Sequence, residues 1–379
     1  MQQNDLSSSA DGRFMQRALE LAQLGLGTAS PNPCVGAVIV RDGQIVGEGY
    51  HARAGEPHAE VHALREAGER ARGATLYVTL EPCAHRGRTG PCALAVAEGG
   101  LSRVVAAMTD PNPQVGGKGL QHLRDAGIEV SVGLGETQAR RLNEAFLFAI
   151  SAGRPFMHLK WAMTLDGKSA TAGGESQWIT GPEARRQVHR LRAEYDAVLV
   201  GGGTLRADDP QLTVRDFAWA DERPIRQPRR VVVTNEPVAL DRRLWHDGGE
   251  RTIFFGRDPG KDHLAEVQAL GIEAIVAEAK GATPGSGVDW RSVMTHLAER
   301  EVRGILVEAG PGLAGALVRQ GLVDRVSAFV NPRVLGGAGS QPAVGGPDPQ
   351  RLDDALRLAE VEIQPCGDDL WITGRTIRT

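Results

Sequence analysis

One histidine, one glutamate and two cysteines have the residue types and the spacing of a catalytic zinc site. The sequence contains His58-Ala59-Glu60, then Pro82-Cys83, then Pro91-Cys92. Zinc binds nitrogen and sulfur ligands tetrahedrally, and a catalytic site leaves its fourth position to water. Three ligands from His58, Cys83 and Cys92 would leave that position open, which predicts a zinc ion that activates water.

The chemistry expected of this site is hydrolytic removal of an amino group from a ring carbon. Zinc lowers the pKa of bound water to about 7, and Glu60 could carry the proton from water to the leaving ammonia. The zinc deaminase pattern is H-x-E followed by P-C-x-x-C. This chain departs from it, since eight residues separate Cys83 from Cys92. A structural zinc with His62 or His85 as fourth ligand is the alternative, but it would leave Glu60 without a purpose.

The composition argues against several functional classes. The 379 residues are 41% hydrophobic and 24% charged, which is ordinary for a globular protein of two domains. A net charge of −4 and 4% aromatic residues do not favour nucleic-acid binding. Four cysteines imply no disulfide framework, and the polar N-terminus lacks a secretion signal. Because no run approaches about 18 apolar residues, we expect a cytoplasmic protein without a membrane segment.

The first part of the chain predicts an α/β domain with a central sheet. Apolar residues have helical spacing over 13–25, and 35–46 is typical of a hairpin that turns at Asp42-Gly43. Further helices are predicted at 58–71, from 91, near 117–126 and at 137–150, and strands at 75–80, 103–108 and 128–132. Both halves of the metal motif then fall where a strand passes into a helix, a usual place for a site. Cys92 would lie near a helix N-terminus, whose dipole favours the thiolate.

A break at 151–155 predicts a domain boundary, so the two expected domains are 1–152 and 153–379. Buried strands are predicted at 156–163, 197–200, 230–233, 252–255, 304–307 and 326–330, with helices near 182–194, 261–270, 289–299 and 313–320. The alternation indicates a second, mostly parallel α/β domain. Glycine-rich stretches follow two strands, at 201–204 and 308–315. Each alone is more often a tight turn, but together they favour a phosphate-bearing ligand, although neither is a G-x-G-x-x-G fingerprint.

Longer motifs in both halves match one family. In the first half they are Pro31-Asn32-Pro33-Cys34-Val35-Gly36, Gly55-Glu56-Pro57-His58-Ala59-Glu60, residues 80–92 and Asp110-Pro111-Asn112-Pro113; in the second they are residues 160–168 and 174–180, Gly203-Thr204, Asp208-Asp209-Pro210, Leu212-Thr213-Val214-Arg215 and Glu308-Ala309-Gly310-Pro311. Over about residues 10–375 the chain resembles the RibD family of riboflavin biosynthesis enzymes, a pyrimidine deaminase followed by a reductase. The eight-residue gap between cysteines is a feature of that family. Departures are Gly90, where the family usually has Pro, and Thr234-Asn235, where it more often has Asp-Ser.

The resemblance implies the fold, the activities and the cofactors. It implies a cytidine-deaminase-like three-layer α/β/α domain followed by a dihydrofolate-reductase-like α/β domain, which binds NADPH without the usual fingerprint. The expected substrate is 2,5-diamino-6-ribosylamino-4(3H)-pyrimidinone 5′-phosphate, which would be deaminated with Zn2+. The product's ribosyl group would then be reduced to ribityl. The expected partners are these phosphorylated pyrimidines and further copies of the chain, as a dimer or tetramer, with no nucleic acid and no membrane.

The resemblance also implies roles for individual residues. Zinc would be held by His58, Cys83 and Cys92, Glu60 would move the proton, and Asn32, His51 and His85 would line the pyrimidine pocket. The implied NADPH contacts are Ala162, Trp178, Thr204, Asp208, Asn235, Gly310, Pro311, Gly312, Leu313, Ala314, Gly315 and Ala316. The implied substrate site of the reductase is Lys160, Ser176, Arg192, Leu212, Arg215 and Glu308. Arginine forks suit the substrate phosphate.

Several alternatives stay open on the sequence. From the residues alone, Arg192 belongs to a solvated basic face of its helix. The Arg/Pro-rich segment 223–230 is either a solvated loop or a contact for the 2′-phosphate of NADPH. For the whole chain, one alternative is a nucleoside, nucleotide or tRNA deaminase with a non-catalytic second module, which an NADPH titration would test. The other is a non-enzymatic protein with a structural zinc, which metal analysis with an ammonia-release assay would test.

Overall fold

A computed structural model describes residue 6 and residues 9–84, 90–112, 116–279 and 287–377 of the chain. It divides into two compact units, Met1–Gly153 and Arg154–Thr379. One residue assigned a role above, His85, lies outside the described residues. Among the helices that are described, none is long and apolar enough to cross a membrane.

The first unit is built on a five-stranded sheet. Its strands are β1 (Gly36–Arg41), β2 (Gln44–Tyr50), β3 (Thr75–Val78), β4 (Arg103–Ala106) and β5 (Glu129–Val132), in the order β2-β1-β3-β4-β5. Its helices are α1 (Ala10–Gln23), α2 (Ala59–Ala67), α3 (Cys92–Glu98), α4 (Lys118–Asp125), α5 (Glu136–Leu142) and α6 (Glu144–Ala152). The pairs β1–β2 and β1–β3 are antiparallel, whereas β3, β4 and β5 are parallel. The α/β sandwich predicted from the alternation is therefore present.

Glycines in β2 allow the helix α2 to lie directly on that strand. A side chain on Gly47 would lie 2.2 Å from the carbonyl oxygen of Ala63, and one on Gly49 would lie 2.4 Å from that of Ala59. These distances are too short for a real Cβ atom, so only glycine permits this packing. The β1–β2 hairpin turns at Asp42 and Gly43, both with positive φ, as the Asp-Gly pair predicts.

Two helices of the first unit differ from their predicted extent. The helix predicted over 58–71 ends at Ala67, because Gly68 takes a positive φ of 54° and a short 3-10 turn, Gly68–Ala71, follows. The helix predicted over 137–150 is divided at Asn143 into α5 and α6. Apolar spacing does not reveal that break, since its cause is a contact that Asn143 makes elsewhere in the fold.

The second unit contains a nine-stranded sheet and a two-stranded one. Its strands are β6 (Phe156–Thr164), β7 (Lys168–Ala170), β8 (Ala197–Gly201), β9 (Arg229–Thr234), β10 (Arg251–Phe255), β11 (Glu273–Val276), β12 (Gly304–Glu308), β13 (Arg325–Asn331), β14 (Gln341–Pro342), β15 (Arg357–Cys366) and β16 (Asp369–Ile377). Its helices are α7 (Pro182–Glu194), α8 (Gly202–Asp208), α9 (Lys261–Ala269), α10 (Trp290–Glu299) and α11 (Pro311–Arg319). The large sheet has the order β11-β10-β9-β8-β12-β6-β13-β16-β15, and β14 pairs with β7.

The large sheet is parallel from β11 to β13, and β13, β16 and β15 pair antiparallel. All six predicted buried strands are present. The closing hairpin of β15 and β16 was not predicted, because β15 is mostly exposed and lacks a buried apolar run. The neighbouring strands β6, β12, β8 and β9 are parallel, so their carboxyl ends lie at one edge of the sheet, where ligands of such sheets bind.

Candidate active sites

Three residues of the predicted metal motif converge in the first unit. His58 precedes α2 as its N-cap, Cys83 follows β3, and Cys92 begins α3. His58 Nδ1 lies 3.1 Å from Cys92 Sγ and 3.7 Å from Cys83 Sγ. All three ligand atoms lie within 4.8 Å of one another. Two strand-to-helix passages therefore bring together one nitrogen and two sulfur atoms, the donor set that suits zinc.

The electrostatics of the three side chains favour a bound cation. The pKa of Cys83 is lowered to about 4, first by the hydrogen bond from the Cys92 thiol and then by His58. The same contact raises the pKa of Cys92, and the Cys83 thiolate raises that of His58. Two adjacent thiolates repel each other, so without a cation one sulfur keeps its proton. A divalent ion would remove that conflict, and the residues present therefore fit zinc.

Glu60 is buried in the first turn of α2, two residues beyond His58. Its Oε2 has no hydrogen-bond partner among the described residues, and the side chain is not one of the converging metal ligands. Burial raises the pKa of this carboxyl to about 7, with His58 opposing the shift. A buried carboxylate oxygen without a hydrogen-bond partner is costly. Its position fits a group that exchanges a proton with a substrate at the site.

The structural-zinc alternative lacks its fourth ligand among the described residues. His62 lies in α2, four residues beyond His58, but its ring is not part of the group whose ligand atoms converge. His85, the other candidate, lies outside the described residues. The described part of the chain thus offers a three-ligand group, as a catalytic site requires.

Two residues predicted for the pyrimidine pocket adjoin the metal ligands. The buried ring of His51 lies edge-on to that of His58, with centroids 5.1 Å apart. Asn32 Nδ2 lies 3.0 Å from His51 Nε2, and His51 Nδ1 lies 3.3 Å from the carbonyl oxygen of Pro57. Burial lowers the pKa of His51, so the neutral ring is favoured. Asn32, His51 and the metal ligands thus form one contiguous group.

Sequence reasoning missed Asn143, which fixes the loop that carries Asn32. The buried Asn143 side chain accepts the backbone N–H of Cys34 at 2.7 Å and donates to its carbonyl oxygen at 2.9 Å. These bonds span 109 positions of sequence. They also explain why Asn143 interrupts the predicted helix, since its amide is used by another segment. No local pattern marks such a contact.

A second missed residue is Glu81, which precedes the Pro82-Cys83 pair. Its buried carboxylate accepts four backbone N–H groups, from Asp110, Gly117, Gly119 and Leu120, at 2.8–3.2 Å. The carboxylate thereby ties the segment before Cys83 to the start of α4. The signal was present in the sequence, because a glutamate within an apolar strand end must be paired when buried.

The second unit has an open cleft of about 1430 Å3 at the carboxyl ends of its parallel strands. Most predicted reductase residues line it: Lys160, Ala162, Ser176, Trp178, Arg192, Thr204, Asp208, Leu212, Arg215, Asn235, Glu308, Gly310, Pro311, Gly312, Leu313 and Ala316. Ala314 and Gly315 do not line it. Ala314 is fully buried in the core, and a side chain on Gly315 would lie 1.7 Å from the carbonyl oxygen of Gly345.

A mostly buried group of charges lies in this cleft where the last residue of β12 pairs with the middle of β6. Arg192 holds Glu308 with two bonds, of 2.5 and 3.0 Å, and Lys160 Nζ lies 3.9 Å from the same carboxylate. Burial would raise the pKa of Glu308, but Arg192 and Lys160 outweigh it and lower that pKa to about 2. Burial also lowers the pKa of Lys160, with Glu308 opposing. The group therefore holds two cations around one carboxylate.

Arg192 corrects the expectation of a solvated basic face. Its side chain is buried, and its remaining nitrogen donates to the carbonyl oxygen of Thr213 at 2.9 Å. With both edges of the guanidinium occupied by Glu308 and Thr213, Arg192 has no free edge with which to bind a phosphate as a fork. Arg215 is exposed at the cleft, where it donates to Gln211, and so remains available to an anion.

The glycine-rich strand ends adjoin each other at the same edge. A side chain on Gly310 would lie 3.2 Å from Thr204 Oγ1, and one on Gly201 would lie 3.4 Å from Leu313. Gly203 and Gly312, by contrast, have open space on their Cα side. Backbone here can approach a ligand closely, and α11 directs its N-terminus into the cleft. These residues fit a phosphate-bearing cofactor.

The arginine-rich segment 223–230 does not reach the cleft. Arg223 stacks on Trp219 at 3.9 Å and pairs with Asp221 at 2.9 Å. Arg229 pairs with Glu250 at 2.7 Å, and the buried Arg230 pairs with Asp247. None of these three residues lines the cleft. The segment is thus neither a solvated loop along its whole length nor a contact for a ligand in that cleft.

Comparisons with known proteins support two activities. Residues 8–108 match the family model for the zinc-binding region of cytidine and deoxycytidylate deaminases, and residues 155–372 match that for the RibD C-terminal domain. The riboflavin biosynthesis protein RibD of Escherichia coli K12 is 45% identical over 373 residues, 96% of this chain and 98% of its own length.

Solved structures agree over nearly the whole length. The RibD structure of Acinetobacter baumannii, form 1, is 39% identical, with a TM-score of 0.87 and coverage of 97% of this chain and 99% of that one. A deaminase/5-amino-6-(5-phosphoribosylamino)uracil reductase of Thermotoga maritima is 34% identical, with a TM-score of 0.80 and the same two coverages. The similarity extends across both units described above.

Proposed function

The chain belongs to the RibD family of bifunctional deaminase-reductases of riboflavin biosynthesis, and from this premise we propose its substrates, cofactors and residue roles. The family and the two-part fold predicted from the motifs are confirmed. The proposed first substrate is 2,5-diamino-6-ribosylamino-4(3H)-pyrimidinone 5′-phosphate. Its hydrolytic deamination releases ammonia, and NADPH then reduces the ribosyl group of the product to ribityl. We assign the first reaction to residues 1–152 and the second to 153–379.

The observation that carries the first assignment is the unpartnered Glu60 oxygen beside three converging metal ligands. His58, Cys83 and Cys92 would hold zinc, which when bound supplies Lewis-acid activation of water. Glu60 takes the proton of the attacking water and delivers it to the leaving amine nitrogen. Asn32 and His51 orient the pyrimidine ring, and Asn143 keeps Asn32 in place through Cys34.

In the second reaction, the cleft residues bind and orient the two reactants. The family implies a nucleotide cofactor, and we propose NADPH, which when bound supplies the hydride. Its phosphates would meet the N-terminus of α11 and the adjoining glycines. Lys160 and Glu308 would contact the sugar that is reduced, and Arg192 would hold Glu308 in place. Arg215 would bind the substrate phosphate. The four cysteines form no disulfide, which fits the cytoplasm, and we retain that as the proposed compartment.

One assay of the purified chain tests this proposal. The diamino substrate is supplied with and without NADPH, and the products are followed by mass. We expect replacement of an amino group by oxygen in both samples, and addition of two hydrogens only in the sample with NADPH. Release of ammonia without any use of NADPH would instead favour a deaminase with a non-catalytic second unit.

Replacing Asn143 by Ala should impair the deaminase reaction alone. The change removes both hydrogen bonds that Asn143 makes with the backbone of Cys34, at a cost of about 0.5–1.5 kcal/mol for each bond, so the Asn32 loop shifts. We expect the KM of deamination to rise on the order of tenfold, while bound zinc and the reductase rate stay unchanged. Loss of zinc from the variant, or an unchanged KM, would contradict a role in positioning Asn32.

A further inference from the structure

The cleft of the second unit contains an ion pair that the residue roles above do not use. Arg206, in α8, and Glu236, two residues beyond β9, both line the cleft. Their side chains pair at 3.0 Å, and each is at least half exposed, with relative accessibilities of 50% and 67%. An exposed pair of this kind contributes little stability, so an anionic ligand could displace Glu236 at small cost.

The position of this pair follows from the order of the strands. Lys160, in the middle of β6, pairs in register with Glu308, the last residue of β12, so the proposed substrate end of the cleft lies at β6 and β12. The adjoining glycines lie at β12 and β8, and Arg206 and Glu236 lie at β8 and β9, the next strand along. A dinucleotide with its pyrophosphate at the glycines and its hydride donor beside Lys160 must therefore extend its adenosine toward β9.

Local packing holds both side chains at this end of the cleft. A side chain on Gly202 would lie 2.5 Å from Thr234 Oγ1, so α8 begins directly against the turn after β9. Thr234 Oγ1 accepts the backbone N–H of Glu236 at 3.1 Å, which fixes that turn. Arg206 lies one helical turn beyond Gly202, and its guanidinium reaches within 3.4 Å of the Cβ position of Gly202. Arg206 is thus held toward β9.

Four other arginines line the cleft, and each contacts a partner other than Glu236. Arg185 stacks on Trp178 at 4.6 Å, and Arg243 binds the carbonyl and carboxylate oxygens of Asp209. Arg192 is bound to Glu308, and Arg215 donates to Gln211. In dinucleotide sites an acidic residue after the second strand binds the ribose 2′-hydroxyl, whereas a nearby arginine accommodates a 2′-phosphate. Here both residue types occur together.

We propose that Arg206 binds the 2′-phosphate of the cofactor and thereby selects NADPH over NADH, and that Glu236 holds its guanidinium when no cofactor is bound. The inference rests on the proposed use of NADPH. Arginine binds phosphate through two parallel charge-assisted hydrogen bonds, which a 2′-hydroxyl cannot offer. Glu236 competes with the 2′-phosphate for the Arg206 guanidinium, so the Arg206–Glu236 pair also limits the affinity for NADPH.

Calorimetry with the full chain tests the inference by measuring the binding of fragments that contain only the adenosine end of the cofactor. The probes are adenosine 2′,5′-bisphosphate and 5′-AMP, which differ by the 2′-phosphate. We expect Arg206→Ala to weaken binding of the bisphosphate on the order of 10- to 100-fold, as for loss of a charge-assisted pair. The affinity for 5′-AMP should be unchanged. Glu236→Gln should strengthen binding of the bisphosphate a few-fold. In turnover, Arg206→Ala should raise KM for NADPH by a similar factor, with kcat and the KM for NADH unchanged.

Arg351→Ala is the matched control, because Arg351 makes a comparable exposed pair with Asp353 at 2.9 Å but does not line the cleft. It should change none of these constants. Equal weakening of both probes by Arg206→Ala, or no weakening, would overturn the role of Arg206 while leaving NADPH as the cofactor. A wild-type chain that neither binds the bisphosphate nor oxidises NADPH would overturn the proposed reductase function as well.

Discussion

Glu60→Gln is expected to lower the rate of ammonia release from the diamino substrate by about 10²- to 10⁴-fold, the usual contribution of a general acid or base. Glutamine has nearly the same shape as glutamate but cannot carry a proton between water and the leaving amine. Glu60 is buried and is not one of the converging metal ligands. The variant should therefore fold and still bind zinc, which metal analysis of the purified protein would check.

The second reaction supplies the internal control for this variant. NADPH oxidation with the pre-deaminated compound should be unchanged, since Glu60 belongs to the other unit. Glu56→Gln makes the same substitution at an exposed position four residues away and should leave both rates unchanged. Loss of both activities in a folded Glu60→Gln protein would contradict the assignment of two separate sites.

Glu308→Gln should have the second large effect, on the reductase and on the stability of its unit. The change leaves Arg192 and Lys160 buried without their shared carboxylate. Removing one partner of a buried charge pair costs about 3–5 kcal/mol, so the second unit should melt several degrees earlier. NADPH oxidation should fall below detection, because Lys160 and Arg192 lose the group that orients them. Ammonia release at temperatures below the transition should stay at the wild-type level.

Two further variants separate folding from function at Glu308. The double variant Glu308→Gln, Arg192→Met removes one of the stranded cations and should regain part of the lost stability without regaining activity. Glu299→Gln changes an exposed residue at the end of α10 and should alter neither property. If Glu308→Gln melted normally and oxidised NADPH at the wild-type rate, the buried charge group would have no part in the reaction.

How far the sequence predicts the molecule depends on the range of the interactions. His58, Cys83 and Cys92 could be identified because zinc chemistry restricts residue type and the motifs are local. Buried parallel strands could be identified because each is a continuous apolar run. The break at Asn143 could not, because its cause is a bond to Cys34, 109 positions away.

The partners of buried charged residues also could not be predicted from the sequence. Arg192 lies on a helix with three further arginines and therefore has the pattern of a solvated face. Its carboxylate partner, Glu308, is 116 positions away, and only the folded sheet brings the two together. The local sequence indicates that a buried Glu81 must be paired but cannot identify its partners, since the N–H groups it accepts begin 29 positions later.

The packing of α2 on β2 has a consequence for how such enzymes can decay over evolutionary time. Gly47 and Gly49 are not among the converging metal ligands, yet any larger residue there would push away the helix that carries Glu60 and has His58 as its N-cap. A gene copy under relaxed selection could therefore lose deamination by drift at either glycine with every ligand codon intact. An inventory of genomes that counts only intact ligands would overestimate how many copies remain active.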